Sequence, residues 1–174
     1  MQIIEKQDGD LRITEDKFRK LIPEEDADLA ALELPDGPLL VSLGLWRARR
    51  DELLDRDVGV FVEAEERLDE IVDDLEHLSL IALDFPHFRD GRSYSKARLL
   101  RERYDFGGQI RAVGDVHHDQ LFFMRRCGFD AFDLAEDFDL EEALQGFEKY
   151  SVNYQPAVDE EKPLFRRVRR SIPE

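Results

Sequence analysis

Residues 81–134, IALDFPHFRDGRSYSKARLLRERYDFGGQIRAVGDVHHDQLFFMRRCGFDAFDL, decide the fold. They read as strand, loop, helix, strand, loop, helix, strand. Residues 80–85, 109–113 and 131–134 are apolar runs of strand length. Residues 93–104 are helix-favouring and open at a serine in a capping position, while 119–127 close at Gly128, where a C′ glycine belongs. The strands are near-continuous apolar runs rather than alternating ones, the pattern of a parallel sheet covered on both faces.

The same rhythm extends upstream. Residues 39–43 (LLVSL) and 58–62 (VGVFV) are two further strands, and 47–55 (RARRDELLD) is helix-favouring. Residues 65–78 place Leu68, Ile71, Val72, Leu75 and Leu78 at helical spacing, which predicts an amphipathic helix. A last helix is expected over 140–150. The fold class is therefore α/β, five repeated βα units forming a parallel sheet with right-handed crossovers. An open doubly wound sheet and a partial-barrel arc both satisfy this pattern. At the N-terminus, Ile3, Ile4, Leu11 and Ile13 flank Asp8-Gly9, which predicts a small hairpin. Pro23, Pro35, Pro38 and the acidic run 24–28 mark residues 15–38 as a connector. One domain is expected over 1–155, with 1–38 as hairpin and connector, followed by a basic tail, 156–174, expected to be extended or mobile. Lys162, Arg166, Arg167, Arg169 and Arg170 concentrate its charge, and such a tail is expected to dock on an acidic surface.

Composition excludes several classes. Forty-one acidic against 25 basic residues leave a net charge of −16, the wrong sign for nucleic acid or anionic membranes. No segment approaches the ~20 apolar residues of a membrane span, and no basic-then-apolar leader opens the sequence. The single Cys127 forms no internal disulfide, so a cytoplasmic location is expected. It sits at a helix C-terminus without a CxxC partner, which makes it a space-filling thiol rather than a nucleophile. No GxGxxG, P-loop or GxSxG motif is present, and no cofactor is expected.

Two groups of residues carry candidate chemistry. Glu63, Asp84, Asp115 and Asp133 fall at or just inside the ends of successive strands, where parallel α/β folds build their sites. Converging carboxylates suit a hard cation. The ordinary alternative is that they cap helices or pair with bases such as Arg111, and His117-His118 beside them read as solvated. No metal site is assigned. The second group is the loop after residue 85, with Arg89, Arg92, Ser93, Tyr94, Ser95 and Arg98 around a glycine and a helix start. Guanidinium groups and helix amides there would accept an oxyanion such as sulfite, sulfate or phosphate. The alternative has the arginines paired with Asp90, Glu102 and Asp84.

The strings DFPHFRDGRSYSKARLLRER, QIRAVGDVHHDQLFF, MRRCGFDAF and SVNYQ, within residues 84–155, resemble a bacterial family of unknown function. Its members are encoded beside assimilatory sulfite reductase and are often labelled oxidoreductases of sulfite reduction. The resemblance implies a cytoplasmic role in sulfate or sulfite assimilation toward cysteine. It also implies a partner, sulfite reductase or another sulfate-assimilation protein. The family pattern has an apolar residue and an arginine where this chain has His117-His118. Sulfite reduction itself needs siroheme and an iron–sulfur cluster, and one cysteine does not supply the usual four thiolates. The expected role is therefore an accessory one. An enzyme using the strand-end carboxylates and the arginine loop is the alternative, and a docking scaffold is a third.

Overall fold

The computed structural model describes residues 1–24, 26–135, 138–147 and 157–158. The N-terminal pair β1 (Gln2–Gln7) and β2 (Asp10–Glu15) is the expected hairpin. Asp8 and Gly9 both take positive φ, 52° and 96°, as a type I′ turn requires. The chain continues through β3 (Arg19–Leu21), β4 (Leu39–Ser42), α1 (Leu43–Ala48), α2 (Arg50–Leu53) and β5 (Val58–Val62). Two 3₁₀ segments, Leu68–Glu70 and Val72–His77, lead to β6 (Leu80–Phe85). Then come α3 (Arg92–Glu102), β7 (Gln109–Gly114), α4 (Leu121–Arg126), β8 (Ala131–Phe132) and α5 (Leu140–Gly146).

All strands share one sheet, ordered β2-β1-β8-β7-β6-β5-β4-β3. From β3 to β8 every neighbour is parallel and consecutive in sequence. Each crossover thus steps the same way, and right-handed connections put every helix on one face. This is the half-barrel arc, not a doubly wound sheet.

Chain length shows how far the sheet curls. Its two outermost strands, β2 and β3, are joined by only Asp16, Lys17 and Phe18. Four residue steps reach about 14 Å, whereas seven inter-strand gaps in a flat sheet would span about 34 Å. Two contacts across the inner face agree. Lys20 of β3 meets Asp133, just past β8, at 3.0 Å, and Arg111 of β7 meets Asp16 at 2.8 Å.

The pleat divides the side chains between two cores. Leu39, Val41, Val60, Ile81, Leu83 and Ile110 face the helices and pack with Trp46, Leu100 and Met124. The inner face is a smaller cluster of Phe18, Leu40, Leu80, Ala82 and Val113, with Phe61 against it. Phe18 enters this face from the three-residue bridge, so the bridge plugs the half-barrel as well as linking its edges.

Four expectations are corrected. Residues 65–78 are not an α-helix but 3₁₀ turns, with Leu68, Ile71 and Asp74 buried at a spacing of three. Asp74 is the cause that periodicity missed: its carboxylate accepts from Trp46 Nε1 (3.2 Å) and from Arg50. The connector 15–38 contains β3, a short charged edge strand. Ser93 does not cap α3, because the cap is Gly91 and the serine hydroxyl donates to the Asp84 carbonyl at 2.6 Å. Arg111 pairs with Asp16 rather than with a strand-end acid. Gly128 is the C′ residue of α4 with φ 108°, as expected. The end of the helix expected to Tyr150 and the basic cluster Lys162, Arg166, Arg167, Arg169 and Arg170 lie outside the described residues. Among the described residues, no helix is long and apolar enough to cross a membrane.

Candidate functional site

Because β4–β8 run parallel, their last residues form one rim. The strand-end acids all lie along it, but in four different settings. Asp84, on the inner face in phase with Leu80 and Ala82, is half-buried. Its Oδ1 sits 2.8 Å from where a Cβ on Gly114 would be, so the glycine makes room for the carboxylate. Among the described residues, no hydrogen bond or ion pair reaches that carboxylate. Burial, then the nearby charges of Glu63, Glu65 and Asp90, push its pKa up, with Lys96 opposing. Asp133 is held by Lys20. Asp115 is tied into the loops: one oxygen accepts from the Phe88 amide at 2.8 Å, the other meets His117 Nε2 at 2.7 Å. These two bonds hold its pKa down, the amide contributing most. Glu63 is exposed, and its carbonyl, with that of Ala64, receives the Lys96 ammonium at 2.6 and 3.0 Å. Burial lowers the Lys96 pKa.

Gly114, Lys20 and Asp133 line a cavity of about 440 Å³ at this mouth, with Leu134 and Phe138 on its far wall. Asp133 thus lines this opening and Asp84 lies against its Gly114 wall, while Glu63 is exposed past the end of β5 and Asp115 serves the loops. Among the described residues, no group of three or more His, Cys, Asp or Glu side chains is placed to hold a metal ion.

The arginine loop is dispersed by the helix it opens, since successive helical residues turn by about 100°. Arg92 is committed to Asp90 and to Glu65 (2.7 Å), which pulls the Asp90 pKa down to about 2. Arg98 pairs with Glu102 one turn on. Tyr94 packs among Phe85, Phe123 and Phe129, and burial pushes its phenol up to about 12. Ser95 lines a separate hollow with Arg98 and Cys127 on the helical side. Arg89 alone extends over a ring, 5.2 Å above Phe88.

That ring belongs to a patch no motif announced. Phe88, 40% exposed, stacks on His117 with centroids 5.6 Å apart and 18° between planes. His117 and His118 both contact Phe138, and His87 lies against Phe88. Asp115 and Gln120 clamp the two loops, the latter donating to the Phe88 carbonyl at 2.8 Å. The sequence signal was a phenylalanine in an otherwise polar loop. Lys20 and Lys96 carried none, because their partners lie 113 and 33 residues away.

Together these features define a half-barrel α/β protein with a mixed-charge mouth and an aromatic, histidine-rich rim. The chain belongs to a bacterial family of proteins of unknown function (DUF934), whose model matches residues 59–165. The match spans β5 to β8 and leaves the hairpin, the bridge and Lys20 outside it. No curated protein matches the chain.

Proposed function

We propose that this protein is a cytoplasmic accessory of assimilatory sulfite reduction that docks on the reductase system through the rim of the half-barrel. The observation that carries the docking is the patch of Phe88, Arg89, His117 and Phe138. Aromatic rings and arginine concentrate binding energy at interfaces, and Phe88 and Arg89 of this group are exposed on a chain of net charge −16. The sulfite assignment rests on the family resemblance. The accessory role rests on cysteine count, since one thiol cannot ligate the cluster that the six-electron reduction uses. The test is affinity capture of purified sulfite reductase by the full chain and by a Phe88→Ser/Arg89→Glu variant. Hot-spot residues cost about 2 kcal/mol or more each, so the variant should bind more than tenfold more weakly. Equal capture by both, or by neither, refutes the proposal.

One observation favours a second reading, an enzyme. Asp84 is a half-buried carboxylate, unpaired among the described residues, with a raised pKa at the rim where parallel α/β proteins place their chemistry. It would act as a general acid or base toward a ligand in the mouth. Under that reading Asp84→Asn abolishes turnover without weakening capture by the reductase, and loss of capture alone excludes it.

A further inference from the structure

At the mouth Lys20 is paired with Asp133, and Arg92 and Arg98 of the neighbouring loop and helix are consumed by internal partners. Uncommitted cations lie at the other end of the strands. There, β1 finishes beside the turn into β8, with the Lys6 amide donating to the Asp130 carbonyl at 2.8 Å. A cavity of about 360 Å³ opens at this junction, lined by Lys6, Arg101 and Arg125, with Leu11 and Phe129 as apolar walls and Asp130 as its single acid.

We infer that this cavity is a binding site for a dianionic oxyanion group, phosphate or sulfate, free or as a monoester on a small organic body. The charges decide it. Arg101 is locked in place: it donates to the carbonyls of Gly128 (3.1 Å), Gly108 (2.8 Å) and Phe106, and to Asp130 at 2.7 Å. Four of its five N–H groups are thereby used, and one on Nη2 is left. Asp130 is equally fixed, since its other oxygen accepts the Ile110 amide at 2.8 Å. These two charges offset each other. Lys6 and Arg125 are exposed, and among the described residues neither side chain makes a hydrogen bond or ion pair, although Lys6 lies close enough to Asp130 to act on its charge. Among the described residues the pocket lining thus carries three cations against one acid, a net charge of two on a chain of −16, with one guanidinium already oriented. Such an arrangement matches the two charges and several acceptors of a tetrahedral dianion, and arginine adds forked donation. Leu11 and the Phe129 face offer a surface for an organic substituent, and the volume falls within the range of small-molecule sites. The site lies at the opposite end of the strands from the rim, so it stands or falls independently of the docking proposal.

The test is calorimetric titration of the full chain with inorganic phosphate, inorganic sulfate and phenyl phosphate, with ionic strength held constant by sodium chloride. Wild type, Lys6→Gln/Arg125→Gln and the rim control Arg89→Gln are compared, and their unliganded melting temperatures verify folding. Saturable binding in wild type and control, weakened at least tenfold in the double variant, supports the site. The tighter of phosphate and phenyl phosphate then identifies a free anion or an ester as the source. No saturable binding of any of the three, equal binding by the double variant, or binding that tracks ionic strength alone overturns it.

Discussion

Replacing Asp16 by alanine removes the counter-charge of Arg111 at a point where neither side chain reaches water, with exposures of 3% and 1%. The stranded guanidinium keeps only Gln109 Oε1, at 2.9 Å, and the Phe18 ring, 5.5 Å away. Breaking a buried pair from one side costs about 3–5 kcal/mol, because a charge is left buried and uncompensated. That is a large share of the ~5–15 kcal/mol that stabilises an ordinary domain. At about 2–4 °C per kcal/mol for a chain of this size, the melting point should fall by roughly 6–20 °C. Lys20–Asp133 is the built-in comparison: its lysine is 41% exposed, so Lys20→Ala should cost about 1 kcal/mol or less. Removing both buried charges, as Asp16→Leu with Arg111→Met, should recover most of the loss, since apolar replacement of a buried pair is often neutral or stabilising. Urea unfolding followed by Trp46, the single tryptophan and itself buried, reads all four proteins. An Asp16→Ala variant within ~1 kcal/mol of wild type would refute the argument. A double variant no more stable than the single would do the same.

Further outcomes follow from the same geometry. Gly59→Ala places a Cβ 2.7 Å from Leu80 Cβ and should lower the unfolding free energy read from urea titration by about 1–3 kcal/mol or more, while Gly44→Ala, with its nearest atom at 4.0 Å, should not. The raised pKa of Asp84 favours the folded state at a pH below the ordinary carboxylate value of about 3.9, and that benefit is lost as pH rises through the folded value. Asp84→Asn should therefore melt higher than wild type at pH 7, with the difference vanishing in acid; an unchanged difference from pH 7 to 3 contradicts this. Asp90 has the opposite sign: its pKa is lowered from 3.8 to about 2, so its stabilisation is present above 3.8 and lost on acidification toward 2. Asp90→Asn should accordingly melt below wild type at pH 7 and match it near pH 2. Cys127, 4% exposed, should react with an aromatic disulfide reagent only as fast as the fold opens, and immediate stoichiometric labelling would show otherwise.

The strands Val58–Val62, Leu80–Phe85 and Gln109–Gly114 were legible because burial on both faces favours near-continuous apolar runs, a signal contained within five or six residues. β3 was not, since Arg19–Leu21 is a three-residue, mostly polar edge strand that pairs through its backbone, and the partner of Lys20 lies 113 residues away. The 3₁₀ turns escaped because Asp74, polar in any periodicity count, is buried by Trp46 and Arg50 from another element. Closure of the arc depends on Arg111 meeting Asp16 across 95 residues, which no local window contains. The site divides the same way. Position at strand ends placed Asp84, Asp115 and Asp133 on the rim, but the commitment of Arg92 depends in part on Glu65, 27 residues upstream.

The pairing of β1 with β8 has a consequence for biosynthesis. Ile4 lies opposite Phe132 and Glu5 opposite Ala131, so β1 finds this sheet neighbour only after some 125 further residues are made. At roughly 5–20 residues per second that interval lasts several seconds or more. The hairpin is local and can form at once, yet until β8 is translated one of its long edges has no partner. The parallel strands, by contrast, are added in order, each beside its predecessor. The β1–β2 hairpin is thus the last part of the sheet to be installed, and its unpaired edge is the surface a nascent-chain chaperone has reason to cover.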